Sequence, residues 1–295
     1  MIKANLRQLC DEFQSSLDIN EFRAVYEQRD RNPTLKIPLA MDRYFLFSNA
    51  QEDRPIGILA KKFHLDELDR AKISVQEVEE AIQSLKTNTS RAGDRKKLEA
   101  LERKRVKLLS RMKNNPERIS PLDERIFPGT FAPVVLQKNT NRKISCMRYR
   151  IRMPNGDEIP SKYNVFNARI DSLLKAPSWR SLFGKNHAIF PFQKFFEWVE
   201  RDQKKCEISF FPDQKQLMWA ASLFSEPKDG SYSSFAMITD EPPPEIAEAG
   251  HDRCPVFLDQ REFTKWLSPQ SRTPQELGNI LRNKEKAFYF NSLTA

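Results

Sequence analysis

The sequence lacks any long apolar run. A membrane-spanning helix needs about 18 consecutive apolar residues, and no such stretch occurs anywhere in the chain. The opening residues, M-I-K-A-N-L-R, also lack the apolar core and the small-residue cleavage site of a secretory signal peptide. These two absences predict a cytoplasmic protein with no membrane partner.

Cysteine is scarce as well. The four cysteines, Cys10, Cys146, Cys206 and Cys254, lie tens of residues apart. This spacing matches neither the C-x-x-C pairs of a zinc site nor the cysteine density of a secreted disulfide scaffold. We therefore expect reduced thiols, no structural metal and no cofactor.

Basic residues, by contrast, are in excess. The chain has 49 Lys and Arg against 40 Asp and Glu, a formal net charge of +9. Such an excess favours a polyanionic partner such as nucleic acid, although many ordinary proteins are equally basic. With 39% hydrophobic residues in a chain of 295, a sizeable core can be filled, so the chain is expected to be globular.

The chain begins with helical patterns. Leu6, Leu9 and Phe13 recur at helical spacing, which predicts a first short helix. Asp18 with Glu21 three residues later resembles a capping box, which predicts the start of a second helix.

The sequence pattern of residues 65–114 predicts an antiparallel helical hairpin, and we interpret this hairpin as an insertion within a single domain of residues 1–295. Two apolar stripes flank a turn-forming segment at 87–94. The stripes consist of Val75, Val78, Ile82 and Leu85, and of Leu98, Leu101, Leu108 and Met112. Almost everything else is charged, so the hairpin is either a solvated arm or a surface that binds DNA or a protein partner.

A β-like texture follows, with apolar runs at 131–136, 188–199, 207–211, 217–224 and 235–239. Residues 147–153 alternate strictly, which places Arg148, Arg150 and Arg152 together on one face of a strand. Such a ladder suits phosphate contacts, but a wet basic outer face is an equally ordinary interpretation. Together with short helices at 170–175, 178–183, 261–267 and 274–283, these runs predict an α+β fold with a curved or barrel-like sheet.

Three segments carry side chains suited to chemistry. Asn167 and Arg169 share one face if their segment is extended. Glu197 lies in the aromatic run F-F-E-W-V, where burial would raise its pKa towards the range of a general acid or base. His251 and Arg253 lie in the loop G-H-D-R-C-P. Taken singly, each has an ordinary structural explanation, so the residues alone indicate an acid–base site with nearby arginines and no more.

In this order and spacing, the segments resemble the SOS response-associated peptidase (SRAP) family. Members share N-A-R after a strand, F-x-E-W about thirty residues later, a strand ending in I-T, and H-x-R-x-P before W-L. The matching positions here are Asn167 to Arg169, Phe195 to Trp198, Ile238 with Thr239, His251 to Pro255, and Trp266 with Leu267. The resemblance covers residues 127–267 well and the first fifty residues loosely, whereas the hairpin matches nothing in the shorter members.

The resemblance implies a SRAP-like barrel and a role in the SOS response and DNA repair. Family members remove their initiator Met autocatalytically, as a peptidase. The exposed Cys then condenses, through its α-amine and thiol, with the ring-opened aldehyde of an abasic site in single-stranded DNA to form a thiazolidine. The implied partner is therefore single-stranded DNA with abasic sites, and the implied activity combines hydrolase and lyase-like chemistry. A monomer is expected.

Roles follow residue by residue from the resemblance. Asn167 orients groups at the N-terminus, Glu197 holds the amine and moves protons, and His251 is the acid–base partner on the sugar. The implied DNA contacts are Arg148, Tyr149, Arg150, Arg169, Trp198, Thr239 and Arg253.

The chain departs from the family at position 2, where Ile2 replaces the nucleophilic Cys. Without a thiol, a thiazolidine is chemically impossible. Three explanations remain: a true Met-Cys start lies a few residues upstream, the protein binds DNA non-covalently, or Cys10 substitutes. The last is disfavoured because Cys10 lies on the first apolar-periodic helix, where a buried thiol is usual. Rival functions are a non-enzymatic single-strand-binding module and an interaction protein organised by the hairpin.

Overall fold

The structure is a computed structural model. It describes residues 6–13, 15–87, 92–112, 125–152, 157–160, 162–201, 203–212, 217–226, 231–285 and 289–293. The chain divides into two compact units, one of Met1–Tyr44 with Pro121–Ala295 and one of Phe45–Ser120. Among the described residues, no helix is long and apolar enough to cross a membrane.

The helices and strands are numbered in chain order. The α-helices are α1 (Leu6–Phe13), α2 (Ile19–Arg31), α3 (Leu39–Phe47), α4 (Arg54–Thr87), α5 (Ala92–Met112), α6 (Pro177–Arg180), α7 (Pro244–Glu248), α8 (Phe263–Leu267) and α9 (Pro274–Arg282). The strands are β1 (Ser16–Leu17), β2 (Phe131–Lys138), β3 (Asn141–Tyr149), β4 (Asn167–Arg169), β5 (His187–Phe192), β6 (Phe195–Arg201), β7 (Lys204–Pro212), β8 (Met218–Ser225), β9 (Ser234–Asp240), β10 (Cys254–Pro255) and β11 (Tyr289–Leu293).

The first unit is built around a closed mixed barrel. Strands β3, β2, β5, β8 and β9 pair in that order, and parallel pairing of β9 with β3 closes the ring at Tyr149 opposite Phe235. Strand β1 joins β3, while β4 and β10 join β9. Closure removes the sheet edges between β3 and β9, which would otherwise expose unpaired backbone groups.

A second, smaller sheet covers this core. Strands β11, β7 and β6 pair antiparallel, and the rings of Phe195 and Phe210 stack with centroids 5.1 Å apart. Both rings belong to the same apolar cluster as Phe190 and Phe235 of the barrel. Aromatic side chains bury large apolar areas, so this phenylalanine-rich cluster contributes a large share of the stability of the unit.

The second unit contains the long helices α4 and α5, which form an antiparallel hairpin. Glu79 binds Arg105 at 2.7 Å, and Lys86 lies 3.8 Å from Glu102, so residue numbers rise on one helix as they fall on the other. Val75, Val78 and Ile82 of α4 are buried, as expected for its apolar stripe. Helix α4 begins at Arg54, upstream of residue 65. Of the predicted turn segment at 87–94, Thr87 belongs to α4 and residues 92–94 belong to α5, so the connection is shorter than predicted. Residues 88–91 and the predicted hairpin end at 113–114 lie outside the described residues.

The predicted α+β class with a barrel-like sheet is confirmed, and several local details differ. The first predicted short helix is α1, and the Asp18 side chain accepts the Glu21 backbone N–H at 3.4 Å at the start of α2. The predicted strand at 147–153 is only partly correct, because β3 runs from Asn141 to Tyr149 and ends before Arg150 and Arg152. Met147 and Tyr149 are buried within β3, Ile151 is buried after its end, and Met153 lies outside the described residues.

Candidate functional site

Glu197 and His251 form the chemically most suggestive contact of the first unit. His251 Nε2 lies 3.0 Å from Glu197 Oε2, with the two side chains 17% and 30% exposed. His251 Nδ1 lies 2.8 Å from the carbonyl oxygen of Arg253. The same Nδ1 also lies 3.2 Å from the backbone nitrogen of Arg253, so it faces both an acceptor and a donor of that residue, whereas Nε2 faces the carboxylate.

The environment of His251 shifts its pKa upwards. Burial by itself lowers the pKa, but the hydrogen bond and the negative charge of Glu197 outweigh it, and the Arg253 carbonyl adds to the increase. A histidine with a raised pKa is a competent general acid near neutral pH, and its carboxylate partner can accept the proton back.

Backbone geometry explains why these two side chains meet. Glu197 lies on the face of β6 that also carries the buried Phe195 and Val199. The loop before β10 approaches this face at Gly250, which has φ +98, a conformation that L side chains rarely adopt. A Cβ at Gly250 would lie 3.6 Å from the Val199 side chain. The loop thus packs two residues away from Glu197 and places His251 beside it.

Tyr149 connects Asn167 to the same site. Its side chain is 6% exposed, and its ring stacks on Phe235 with centroids 5.0 Å apart. The hydroxyl donates to Asn167 Oδ1 at 2.9 Å. Burial, with a further contribution from the charge of Glu197, raises the pKa of Tyr149, so it acts as a neutral donor. The bond holds the Asn167 carboxamide with its oxygen towards Tyr149, which leaves the NH₂ group as the donor for other partners.

The arginines Arg169 and Arg253 lie at the same end of the barrel. Thr239, 3% exposed, pairs with Arg169 of β4 on one side and with Pro255 of β10 on the other. Arg169 is exposed and donates to Asp171 at 2.9 Å. That bond lowers the pKa of Asp171, and the charge of Arg253 contributes in the same direction. Arg169 thus contacts this surface carboxylate directly, and Arg253 acts on it only through its charge.

Trp198 lies on the opposite face of β6 from Glu197. Trp198 is 64% exposed, whereas the other three tryptophans, Trp179, Trp219 and Trp266, are buried. An exposed indole offers a stacking surface of the kind that single-stranded nucleic acids use.

Arg148 and Arg150 are engaged within the protein. Arg148 pairs with Glu158, and the Arg150 guanidinium donates to the carbonyl oxygens of Ile159 at 2.6 Å and Pro160 at 3.1 Å. The two side chains therefore hold residues 157–160 against the end of β3. Their predicted phosphate contacts stay a prediction, and these bonds would have to open for DNA to use them.

The sequence had not singled out the environment of Cys254. This thiol is 4% exposed, and burial, with the charge of Glu197 contributing, raises its pKa to about 12. It is therefore a protonated thiol beside the site and unsuited to nucleophilic attack. Its position inside the H-D-R-C-P motif was the only signal that sequence offered.

Glu197 thus contacts His251, while Asn167 is linked to this pair through Tyr149, whose hydroxyl it binds and on which the charge of Glu197 acts. Asp171 was missed, although its position two residues after Arg169 was a usable signal. Among the described residues, no group of three or more His, Cys, Asp or Glu side chains could hold a metal ion.

Comparisons with known proteins point to one family. The abasic site processing protein YobE of Bacillus subtilis is 27% identical over 159 residues, which cover 53% of this chain and 73% of that protein. The abasic site processing protein YMR114C of Saccharomyces cerevisiae is 25% identical over 124 residues, 41% of this chain and 33% of that protein.

A solved structure supports the fold. The crystal structure of a protein from Bordetella bronchiseptica is similar with a TM-score of 0.50 and 18% identity, covering 58% of this chain and 87% of that one. The model of the family described as "SOS response associated peptidase (SRAP)" matches residues 90–293, well over half of the sequence. The chain belongs to the SRAP family.

Proposed function

We propose that this protein processes abasic sites in single-stranded DNA. The observation that carries the proposal is the 3.0 Å contact between His251 Nε2 and Glu197 Oε2, which places an imidazole and a carboxyl group within proton-transfer distance of each other. The abasic-site names of the B. subtilis and S. cerevisiae relatives support this substrate. A ring-opened abasic site presents an aldehyde, whose reactions need a proton to be given to one oxygen and taken from another atom.

Each catalytic residue has a defined task in this scheme. His251, with its raised pKa, protonates the sugar oxygen that leaves as the ring opens or as water departs. Glu197 accepts the proton released by the attacking amine and returns it through His251. Asn167 donates from its NH₂ group to the reacting centre, because its oxygen is bound to the Tyr149 hydroxyl.

The DNA strand is held by contacts beside this centre. Arg169 and Arg253 bind the phosphates that flank the lesion, replacing the interaction with Asp171. Trp198, exposed on the other face of β6, stacks on a base of the single-stranded DNA where the DNA leads away from the lesion. Arg148 and Arg150 contribute only if their bonds to residues 158–160 open.

Covalent capture requires a thiol at the N-terminus. The α-amine adds to the aldehyde carbon, water leaves to give an imine, and the thiol adds to the imine carbon to close a thiazolidine. Ile2 supplies no thiol, and its position lies outside the described residues. We propose that a form of the protein with Cys in place of Ile2 would carry the nucleophile after autocatalytic removal of Met, and that the hairpin is an insertion within one SRAP-like domain.

The second candidate function is non-covalent binding of single-stranded DNA, which the Ile at position 2 favours. The two candidates separate on a denaturing gel. Single-stranded DNA with one abasic site is mixed with the chain that begins Met-Ile and with the Ile2→Cys variant. Only the chain that begins with Cys after Met removal is expected to give a heat-stable conjugate, and equal conjugation by both chains would contradict the role of the thiol.

The catalytic pair is tested on the conjugating form. Glu197→Gln and His251→Gln are expected to slow conjugation by roughly 100-fold or more, the usual contribution of general acid–base catalysis. Glu200→Gln is the matched control, because it makes the same change of charge at an exposed position of the same strand. Equal rates in all three variants would contradict the proposed roles. A chain that retards abasic DNA no better than undamaged DNA would contradict abasic-site recognition itself.

A further inference from the structure

The hairpin of α4 and α5 carries a row of cations whose role the barrel site does not explain. Helix α5 has many more basic than acidic residues, with the sequence AGDRKKLEALERKRVKLLSRM. Five of its exposed cations form no ion pair within the described part of the chain. They are Lys96, Lys97, Arg103, Lys104 and Lys107, called here the α5 stripe.

The stripe occupies one side of the helix. At about 100° per residue, its members fall within roughly a 120° arc, since they are spaced by 1, 3, 4 and 7 positions. The opposite side faces α4, as shown by Arg105, which binds Glu79 at 2.7 Å, and by the partly buried Leu98 and Leu101. The stripe therefore points away from α4.

A merely solvated helix face usually alternates its charges, and α4 shows this pattern. Lys72 binds Asp69 at 2.8 Å, and Arg70 binds Glu67 at 2.7 Å. On α5 the carboxylates lie elsewhere: Glu99 is 3.6 Å from Arg95, outside the stripe, and Glu102 faces Lys86 of α4. Like charges three and four residues apart repel one another and destabilise a helix slightly. A polyanion would remove that repulsion.

The dimensions of the stripe fit a phosphate backbone. From Lys96 to Lys107 the helix rises by about 16 Å at 1.5 Å per residue, a length over which a single strand presents several successive phosphates. Ala100, exposed at the centre of the stripe, is short and lets a chain of phosphates lie close to the helix.

We propose that the α5 stripe is a second nucleic-acid surface of this protein, which binds the sugar-phosphate backbone of single-stranded DNA. It contacts no base and reads no lesion, so it adds sequence-independent affinity to whatever the barrel site recognises. The choice of single-stranded DNA rests on the proposed function, whereas the attraction to phosphate rests on the stripe alone.

The test measures the affinity of the full chain for undamaged single-stranded DNA by fluorescence anisotropy at several salt concentrations. In the stripe variant, all five residues are replaced with Gln. The control variant replaces five cations of the same hairpin that do have carboxylate partners: Lys62, Arg70, Lys72, Lys86 and Arg95. Both variants lose the same net charge. Circular dichroism verifies that each retains its helix content.

The stripe variant is expected to lose up to about 3.5 units from the slope of log K against log salt, at about 0.7 per phosphate contact. Between about 50 and 200 mM salt, that slope corresponds to as much as a hundredfold in affinity. The control variant should retain most of the slope. In a third variant, the four lysines of the stripe are replaced with arginines, which keeps the positive charge. This variant should bind like the parent chain, because the proposal requires only charge at these positions.

Equal losses in the stripe and control variants would overturn the proposal, because net charge alone would then explain binding. An unchanged slope in the stripe variant would overturn it too. The same holds if the stripe variant loses affinity for duplex DNA or for a co-purified protein but keeps its affinity for single strands. Failure of the proposed function looks different: the parent chain would then bind abasic and undamaged strands equally, whatever the stripe variant does.

Discussion

The contact between Glu197 and His251 makes a prediction about stability that can be tested without any substrate. Replacing Glu197 with Gln keeps the shape of the side chain and removes its charge. A hydrogen bond to a charged group contributes about 1.5–3 kcal/mol, and partial exposure, 17% and 30% for the two side chains, favours the lower end. We expect Glu197→Gln to lower the free energy of unfolding by about 1.5 kcal/mol where His251 is protonated.

The pH dependence carries a definite sign. The pKa of His251 in the folded protein is raised above its ordinary value of 6.5. Its stabilising contribution is therefore complete below pH 6.5 and is lost as the pH rises through the folded-state pKa. The difference between the parent chain and Glu197→Gln should be large at pH 5.5 and should vanish or reverse at pH 9, where a neutral imidazole faces the carboxylate.

Urea unfolding at the two pH values measures this difference, with Glu200→Gln as the control for a change of charge on β6. Because the chain has only three histidines, an NMR titration can follow His251 directly. In Glu197→Gln its midpoint should move to lower pH. A midpoint that stays in place, or an unfolding cost that is the same at pH 5.5 and pH 9, would refute the reasoning.

Three further predictions concern the surroundings of this pair. Tyr149→Phe removes the bond to Asn167 and should cost about 1 kcal/mol in urea unfolding, while lowering the preference for abasic over undamaged DNA in a gel shift. Gly250→Ala forces a Cβ onto φ +98 and should cost about 1–2 kcal/mol by thermal or urea unfolding. His187 is buried, accepts the Gly184 N–H at 2.9 Å, and has a pKa lowered by burial to about 3. The pH dependence that it causes is therefore opposite to that of His251. The contribution of His187 to the free energy of unfolding should fall by about 1.4 kcal/mol per pH unit below pH 6.5, and urea unfolding of His187→Gln should lack this contribution.

Much of the barrel could be predicted from sequence because its strands form short, continuous apolar runs, and in β2, β8 and β9 nearly every residue is buried. Such a run is a local signal, and it located β2, β7, β8 and β9 within a few residues. The strand pairing that closes the barrel could not be predicted. It depends on parallel pairing of Tyr149 with Phe235, residues far apart in the chain, and no local pattern encodes a partner at that separation.

The start of the hairpin shows a different limit. The apolar stripe that revealed α4 begins at Val75, where buried residues recur at helical spacing up to Ile82. The first turns, from Arg54, also bury Ile56 and Ala60, but the exposed Ile58 and Leu65 interrupt the apolar pattern without ending the helix. A periodicity argument therefore detects the regular part of the stripe and misses the start of the helix.

The residues of the candidate site could be predicted from the sequence, but the contacts between them could not. The motifs supplied Asn167, Glu197 and His251, but 54 residues separate the last two, and their contact depends on the approach of Gly250 to β6. Tyr149 was predicted to touch DNA as part of the arginine-rich strand. Its ring is covered by Phe235, and its hydroxyl binds Asn167, so what it offers to the site is orientation of that carboxamide.

The arginines show why a count of cations is a poor guide to a nucleic-acid surface. Arg148 and Arg150 stand in the strand pattern that best suggests a phosphate ladder, yet their hydrogen bonds are directed to Glu158 and to carbonyl oxygens. The Arg148 side chain is only 18% exposed and also donates to the Tyr232 hydroxyl and the Gly129 carbonyl oxygen, so a phosphate would have to replace several bonds and much of the attraction would be offset. Arg169 differs, since its side chain is 51% exposed and its ion pair with the exposed Asp171 is weakened by solvent. An incoming phosphate displaces that partner at little cost, and for this reason the affinity for DNA should depend on Arg169 far more than on Arg148.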